Sequence, residues 1–433
     1  MADACNSRSL SWLVKPCRPD PRREIIAHPS LEIVHHHHNL RPSAVASASA
    51  AAPIMSLPDD LLLECLSRVP SSSLPVLPLV CRRFSLLLDS PAFLRLRCAH
   101  GRLRRTLHAL ALSDLGLLSS TSLPVDAPLA SAWAPSSASA VLPLEALDGS
   151  FSFSHARVAA VGRSIYIIGR GATLRYDTWT GAVAPRAPTI FPRKKFAAAA
   201  IGGKIYVAGG VARTSAVEEY DPTADAWRVV AEAPRQRYGC VGAVAGGVFY
   251  IAGGLRVGGV GGEGGRLDAH VCAGSMDAYN VEAGAWVRGR PGAGTVAGAA
   301  AAVPGGGCVV GACGTGVHVY VVASHAVELS FWRWEARARR SGGGEWARLE
   351  PPPISARAGL GGALRFSCAA VGEEKVVALV HVSVGCGGGG RRGSDAVAVE
   401  GAVLVYDIKG GEWTRGPDLP PGLRRAAVAC VEV

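Results

Sequence analysis

One pattern constrains this chain more than any other. FAAAAIGGKIYVAGG (196–210) and GCVGAVAGGVFYIAGG (239–254) each join two short apolar runs through a glycine pair and close on a Gly doublet. The doublets Gly209-Gly210 and Gly253-Gly254 lie 44 residues apart. Downstream, Tyr220 and Trp227, Tyr279 and Trp286, and Tyr406 and Trp413 are each seven residues apart. Apolar runs of five or so residues bounded by glycine read as strands rather than helices. Such a unit cannot bury its own faces, so copies must stack side by side. Strands apolar on both faces belong to sheets covered on both sides, with charge left to the loops.

The composition agrees. Of 433 residues, 53 are Gly, 49% are hydrophobic and only 18% are charged. A disordered chain could not leave that much apolar surface wet, and the glycines lack a collagen period. The net charge of +11 is scattered in small clusters such as Arg22-Arg23 and Arg339-Arg340. A nucleic-acid site would need a basic stripe interleaved with aromatics, so no nucleic-acid partner is expected. The first twenty residues lack the apolar core of a secretory signal. The twelve scattered cysteines then read as reduced thiols of the cytoplasm and/or nucleus, with no metal site among them. Between Arg290 and Glu328 there is no Asp, Glu, Lys or Arg, but Pro304 and Gly305 to Gly307 break this stretch into strands, and no membrane span is expected. Residues 1–53 carry six prolines, His35 to His38 and a Ser/Ala tract, which fits a disordered tail.

From residue 54 to 98 the periodicity is helical. Ser56 or Asp59 can cap a first helix, with Pro58 near its start, in which Leu61, Leu62, Cys65, Leu66 and Val69 share a face. Pro70 stops it. Ser71 to Ser73 precede Leu74, Leu77 and Val80, where Pro75 and Pro78 shorten a second helix toward a turn. A third holds Cys81, Phe84, Leu87 and Leu88 and ends at Ser90-Pro91. Three short helices make a small core, so the unit is expected to bury its apolar face against a partner or the next domain. These residues resemble an F-box, in Leu57-Pro58-Asp59-Asp60-Leu61, in Leu66 to Val69-Pro70, and in Leu79-Val80-Cys81-Arg82-Arg83-Phe84. Phe84 stands where the family usually has Trp. The resemblance implies that Leu57, Pro58, Leu61, Leu62, Leu66, Val69, Pro70, Leu79, Val80, Cys81 and Phe84 bind a Skp-type adaptor.

The Gly, Tyr and Trp repeats resemble kelch repeats, which implies one four-stranded propeller blade per unit. Residues 99–433 accommodate six. The first starts at Leu107 to Leu112 and ends near Trp133. The second uses 157–169 and Tyr176, with Val183 in the Trp position and Trp179 out of phase. The third and fourth end after Trp227 and Trp286. The fifth holds 308–314, Trp332, Trp334 and Trp346, and the sixth runs from Arg365 to Leu419. The terminal run 426–433 looks like a first strand without a second, whereas blade one lacks a first strand. Pairing the two would close the ring. The expected fold is therefore mainly β: a six-bladed kelch-type β-propeller behind a small three-helix F-box.

No phosphate loop, G-x-S-x-G or H-E-x-x-H occurs, so neither a catalytic residue nor a cofactor is expected. Arg193, Lys194, Lys195, Arg235, Arg237, Tyr238, Arg357 and Arg424 recur in loops that lead into first strands. In kelch receptors that position surrounds the central channel, where partners bind. Guanidinium groups pair bidentately with carboxylate or phosphate, so a protein client with an acidic or phosphorylated segment fits. An F-box before kelch blades resembles plant substrate receptors of Skp–cullin–F-box ubiquitin ligases, which implies a non-catalytic bridge between adaptor, cullin and target. The alternative is a kelch scaffold or transcriptional cofactor working without the ligase. A propeller oxidoreductase is a remoter one.

Overall fold

The computed structural model describes residues 54–113, 116–125, 132–134, 140–141, 151–211, 214–256, 272–288, 299–325, 328–336, 344–354, 362–384, 400–423 and 426–433. The expected tail at 1–53 lies outside these residues. Ile54–Val433 form one compact unit.

Its helical part has four helical segments beyond the short turn Ile54–Ser56, not three. Helix α1 (Asp59–Ser67) follows Pro58 and carries Asp59 and Asp60 in its first turn, where the helix dipole favours negative charge. Ser71–Leu79 forms a 3-10 helix that includes Pro75 and Pro78. Prolines three apart fall on one side of a three-residue turn, which suits 3-10 better than α geometry. Helix α2 (Arg82–Leu88) is capped by the Cys81 thiol, which accepts from the Phe84 N–H. Ser90-Pro91 ends α2 but also starts α3 (Pro91–Ala99). The Ser90 hydroxyl accepts from Phe93 N at 3.2 Å, and Pro91 occupies the first turn, where its missing N–H costs nothing. The buried face of α1 is also rotated from the expected one: Leu62, Leu63 and Leu66 are inside, while Leu61 and Cys65 are exposed.

Six antiparallel four-stranded blades follow. Blade 2 is Ser152–Val161, Ser164–Arg170, Thr173–Asp177 and Val183–Arg186; blade 3 is Ala197–Ile201, Lys204–Ala208, Ala216–Asp221 and Ala226–Glu232. Blade 4 is Val241–Ala245, Val248–Ala252, Ser275–Asn280 and Ala285–Val287, with Ala301–Ala302 added beside its third strand. Blade 5 is Cys308–Thr315, His318–Ser324, Leu329–Ala336 and Gly344–Leu349, and blade 6 is Gly362–Val371, Lys375–Val384, Val403–Asp407 and Glu412–Arg415. In blade 1 the innermost strand is Ala427–Glu432. It pairs with Arg105–Leu112, Ala109 opposite Val428, and Leu117–Pro124 and Ala140–Val141 lie beyond.

The seven-residue Tyr–Trp spacing is a hairpin register: Tyr220 faces Trp227, Tyr279 faces Trp286 and Tyr406 faces Trp413, with Val183 opposite Tyr176 in blade 2. The indoles also join neighbouring blades. Trp227 donates to the Ala187 carbonyl at 2.8 Å, Trp413 to Glu350 and Trp133 to Pro417, each at 2.7 Å. Each acceptor lies just after the last strand of the preceding blade. Gly209 has φ +74°, and a Cβ there would lie 2.7 Å from the Arg237 carbonyl, so the doublet is fixed by backbone and by crowding together.

Blade 1 buries His108 against Tyr176, ring centroids 6.3 Å apart. Burial lowers its pKa to about 4. Unfolding restores the ordinary value of about 6.5, so the unfolded state binds the proton first and acid favours unfolding. Stability is expected to fall by about 3 kcal/mol as pH drops from about 6.5 to about 4. His108→Leu should flatten that part of a pH series of chemical melts, and an unchanged slope would refute the assignment.

Candidate protein-interaction surfaces

The helical unit divides the residues of the expected adaptor set. Leu62, Leu66 and Phe84 form its core with Leu74 and Phe93. Leu57, Val69 and Cys81 are half-buried, whereas Pro58, Leu61, Pro70, Leu79 and Val80 are exposed. Leu79 is 74% exposed, and Val76 and Leu86 are also open. Uncovered aliphatic side chains of this size mark a surface that expects a partner. Arg83 fixes the start of the unit, donating to Asp59 Oδ1 at 2.8 Å and to the Met55 and Leu57 carbonyls at 2.7 Å.

The unit sits against the propeller through Arg163, at the turn between the first two strands of blade 2. Its buried guanidinium donates to Asp89 at the end of α2 and to Asp177 of blade 2, both at 2.7 Å. It lies 4.8 Å from the Trp179 ring centroid. Trp179, out of phase with the repeat, packs against the helical core instead. Arg97 of α3 donates to the Ser67, Val69 and Arg102 carbonyls, tying the helices to the connection that enters blade 1.

The basic loop residues do not all face solvent. Arg193 is buried with Glu218, Nε to Oε1 2.7 Å, and also donates to the Gly209 and Ala216 carbonyls. Arg237 repeats the arrangement one blade on, with Asp277 at 2.8 Å and the Gly253 and Ser275 carbonyls. Arg235 pairs with the same Asp277. The expectation that Arg193, Arg235 and Arg237 converge on a client is therefore corrected: their guanidiniums are held inside, bracing the loops. Lys194 is exposed, and Lys195 is half-buried with its ammonium 5.7 Å from the Tyr238 ring centroid. Arg357 and Arg424 lie outside the described residues.

The geometry brings together a different basic set at the channel mouth. A cavity of about 490 Å³ is lined by His155, Arg157, Lys195, Arg365 and His381, with Ser154 and Ser367 and an apolar wall. Arg157 donates to the Phe196 and Cys240 carbonyls of blades 3 and 4, and Arg365 to the Val309 carbonyl of blade 5. Desolvation lowers the guanidinium pKa of half-buried Arg157 and also that of Arg365, which is exposed at the rim. Among the described first strands, these arginines, His155 and Glu432 are the ionisable exceptions apart from the cysteines. That interruption of an otherwise apolar strand is the signal that could have found them. The opposite end of the channel is lined by Glu373 and Glu432 with Leu94 of α3.

Among the described residues, no three His, Cys, Asp or Glu side chains gather as metal ligands, and no helix is long and apolar enough to cross a membrane. Cys240, Cys272 and Cys313 are buried free thiols, whereas Cys65, Cys98 and Cys308 are exposed.

Comparison with known proteins gives the lineage. The F-box domain profile matches residues 54–96, and the Kelch motif profile matches residues 192–234. An F-box/kelch-repeat protein of Arabidopsis thaliana is 49% identical over 446 aligned positions, covering 100% of both chains. A second from the same plant is 25% identical over 54% of this chain and 60% of its own. A putative third is 31% identical over 40% and 53%. With the helical unit, the six blades and a full-length relative in agreement, the chain belongs to the F-box/kelch-repeat proteins.

Proposed function

We propose that this chain is the substrate-recognition subunit of a Skp–cullin–F-box-type ubiquitin ligase. Its F-box docks on a Skp-type adaptor, and its propeller holds a protein target for ubiquitination and degradation. The reading is carried by the F-box face, where Leu61, Leu79 and Val80 are left bare on a unit whose own core is complete. The bridge needs no chemistry of its own, because holding a target near the charged enzyme supplies effective concentration. The two ends are well separated. Arg157 at the channel mouth lies about 13 Å along the strand from Val161, where the hairpin turns through Arg163 at the F-box joint.

Leu61→Asp with Leu79→Asp should abolish co-purification of the adaptor and leave the melting temperature within a degree or two, because both side chains are already in water. Leu66→Asp would not serve, since Leu66 is core. If the parent chain captures no adaptor, the scaffold reading replaces this one.

A further inference from the structure

We infer that the channel mouth is a binding site for a phosphate monoester group, held by Arg157, Arg365 and Lys195. This rests on the propeller being the client-binding end, and its test is independent of adaptor capture.

The site is formed by convergence across blades. Arg157 comes from the first strand of blade 2, Arg365 from that of blade 6, and Lys195 from the loop entering blade 3. Among the described residues, no Asp or Glu lines the cavity. This sets it apart from the bracing arginines, since Arg193 has Glu218, Arg235 and Arg237 share Asp277, and Arg163 has two aspartates. Arg157 and Arg365 donate to the carbonyl oxygens of Phe196, Cys240 and Val309, which fix direction but carry no formal charge. The cations also feel one another. Arg365 adds to burial in lowering the Arg157 pKa, and Lys195, Lys194 and Arg157 add to burial in lowering that of His155.

Gathered like charges in a partly dehydrated cleft are costly without a counter-ion. The backbone shows strain in the same place. His155 and Lys195, at φ +66° and +55°, are two of the three non-glycine residues of positive φ among the described residues, and both line the cavity. Strain of this kind gathers at binding sites. The volume admits a phosphate group with several attached atoms rather than a bare ion. Two guanidiniums and an ammonium suit a dianion better than a single carboxylate, and the Ser154 and Ser367 hydroxyls can donate to further oxygens.

The group could arrive on a phosphorylated client side chain or on a phosphorylated small molecule. The full chain would be titrated at constant ionic strength with inorganic phosphate, a phosphoserine peptide and glucose 6-phosphate, reading thermal shift and calorimetric binding. Phosphate should raise the melting temperature where chloride does not. Arg365→Gln and Lys195→Gln, each at the rim, should weaken binding about tenfold or more while the unliganded melting temperature holds. Tighter binding of the peptide than of the sugar phosphate assigns the source to a client, and the reverse assigns it to a metabolite. Equal shifts from phosphate and chloride, or undiminished binding by Arg365→Gln, would overturn the site.

Discussion

A chain lacking residues 427–433 should show no cooperative melt at temperatures where the full-length protein is folded. These residues supply the innermost strand of blade 1, and Arg105–Leu112 would lose its partner along six paired positions. Val428 packs between blades 6 and 1, while Ala429 and Val431 pack between blades 1 and 2. The two buried valines alone contribute about 3–6 kcal/mol. The whole stability of a native domain is about 5–15 kcal/mol, and the deletion also bares the inner edge of Arg105–Leu112. Calorimetry and limited proteolysis would measure the loss. A truncated chain that melts with the parent would show that the ring does not depend on this closure.

Asp277→Asn is the second large effect, expected to cost about 3–5 kcal/mol. The side chain is 1% exposed and serves both Arg235 and Arg237, themselves 9% and 1% exposed. Neutralising it strips the buried Arg237 guanidinium of its carboxylate and removes the same carboxylate from Arg235. Lys195→Gln, removing a cation with no carboxylate partner among the described residues, is the control and should cost well under a third as much by urea denaturation. A small effect for Asp277→Asn would mean that these arginines can swing out to water, which would return them to the client-facing set.

That arginine pair shows where the sequence was readable and where it was not. The Tyr–Trp spacing translated directly into hairpin register, because seven residues is the loop-out and return of one antiparallel turn. Val183 could be placed opposite Tyr176 by the same count. Arg193 and Arg237 were visible as loop residues, but their direction was not. Their carboxylates lie 25 and 40 residues downstream, in the third strand of the blade. The two systems do share a cipher. Each arginine precedes its Gly doublet by 16 residues, and each acid precedes its Tyr by two. Helix α3 was missed because Ser90-Pro91 ends one helix and caps another, and local residues alone do not distinguish a stop from a restart. The face of α1 was misjudged for a similar reason. Leu61, Leu62 and Leu63 are consecutive, so only the position of α3 decides which neighbour of Leu62 turns inward. The channel arginines went unnoticed because a single charge in an apolar strand means little until the ring shows which strands are innermost.

The joint at Arg163 bears on what a receptor of this form could modify. A flexible tether would let a captured protein tumble, exposing many of its lysines in turn. Here the guanidinium clasped by Asp89 and Asp177, with Trp179 beneath it, works as a set square between the two halves. In the proposed role, each captured target would be held at one bearing, and only lysines on one arc of its surface would come within reach. Slackening that corner, by Arg163→Ala for instance, would change which lysines carry the mark before it changed whether the target is bound.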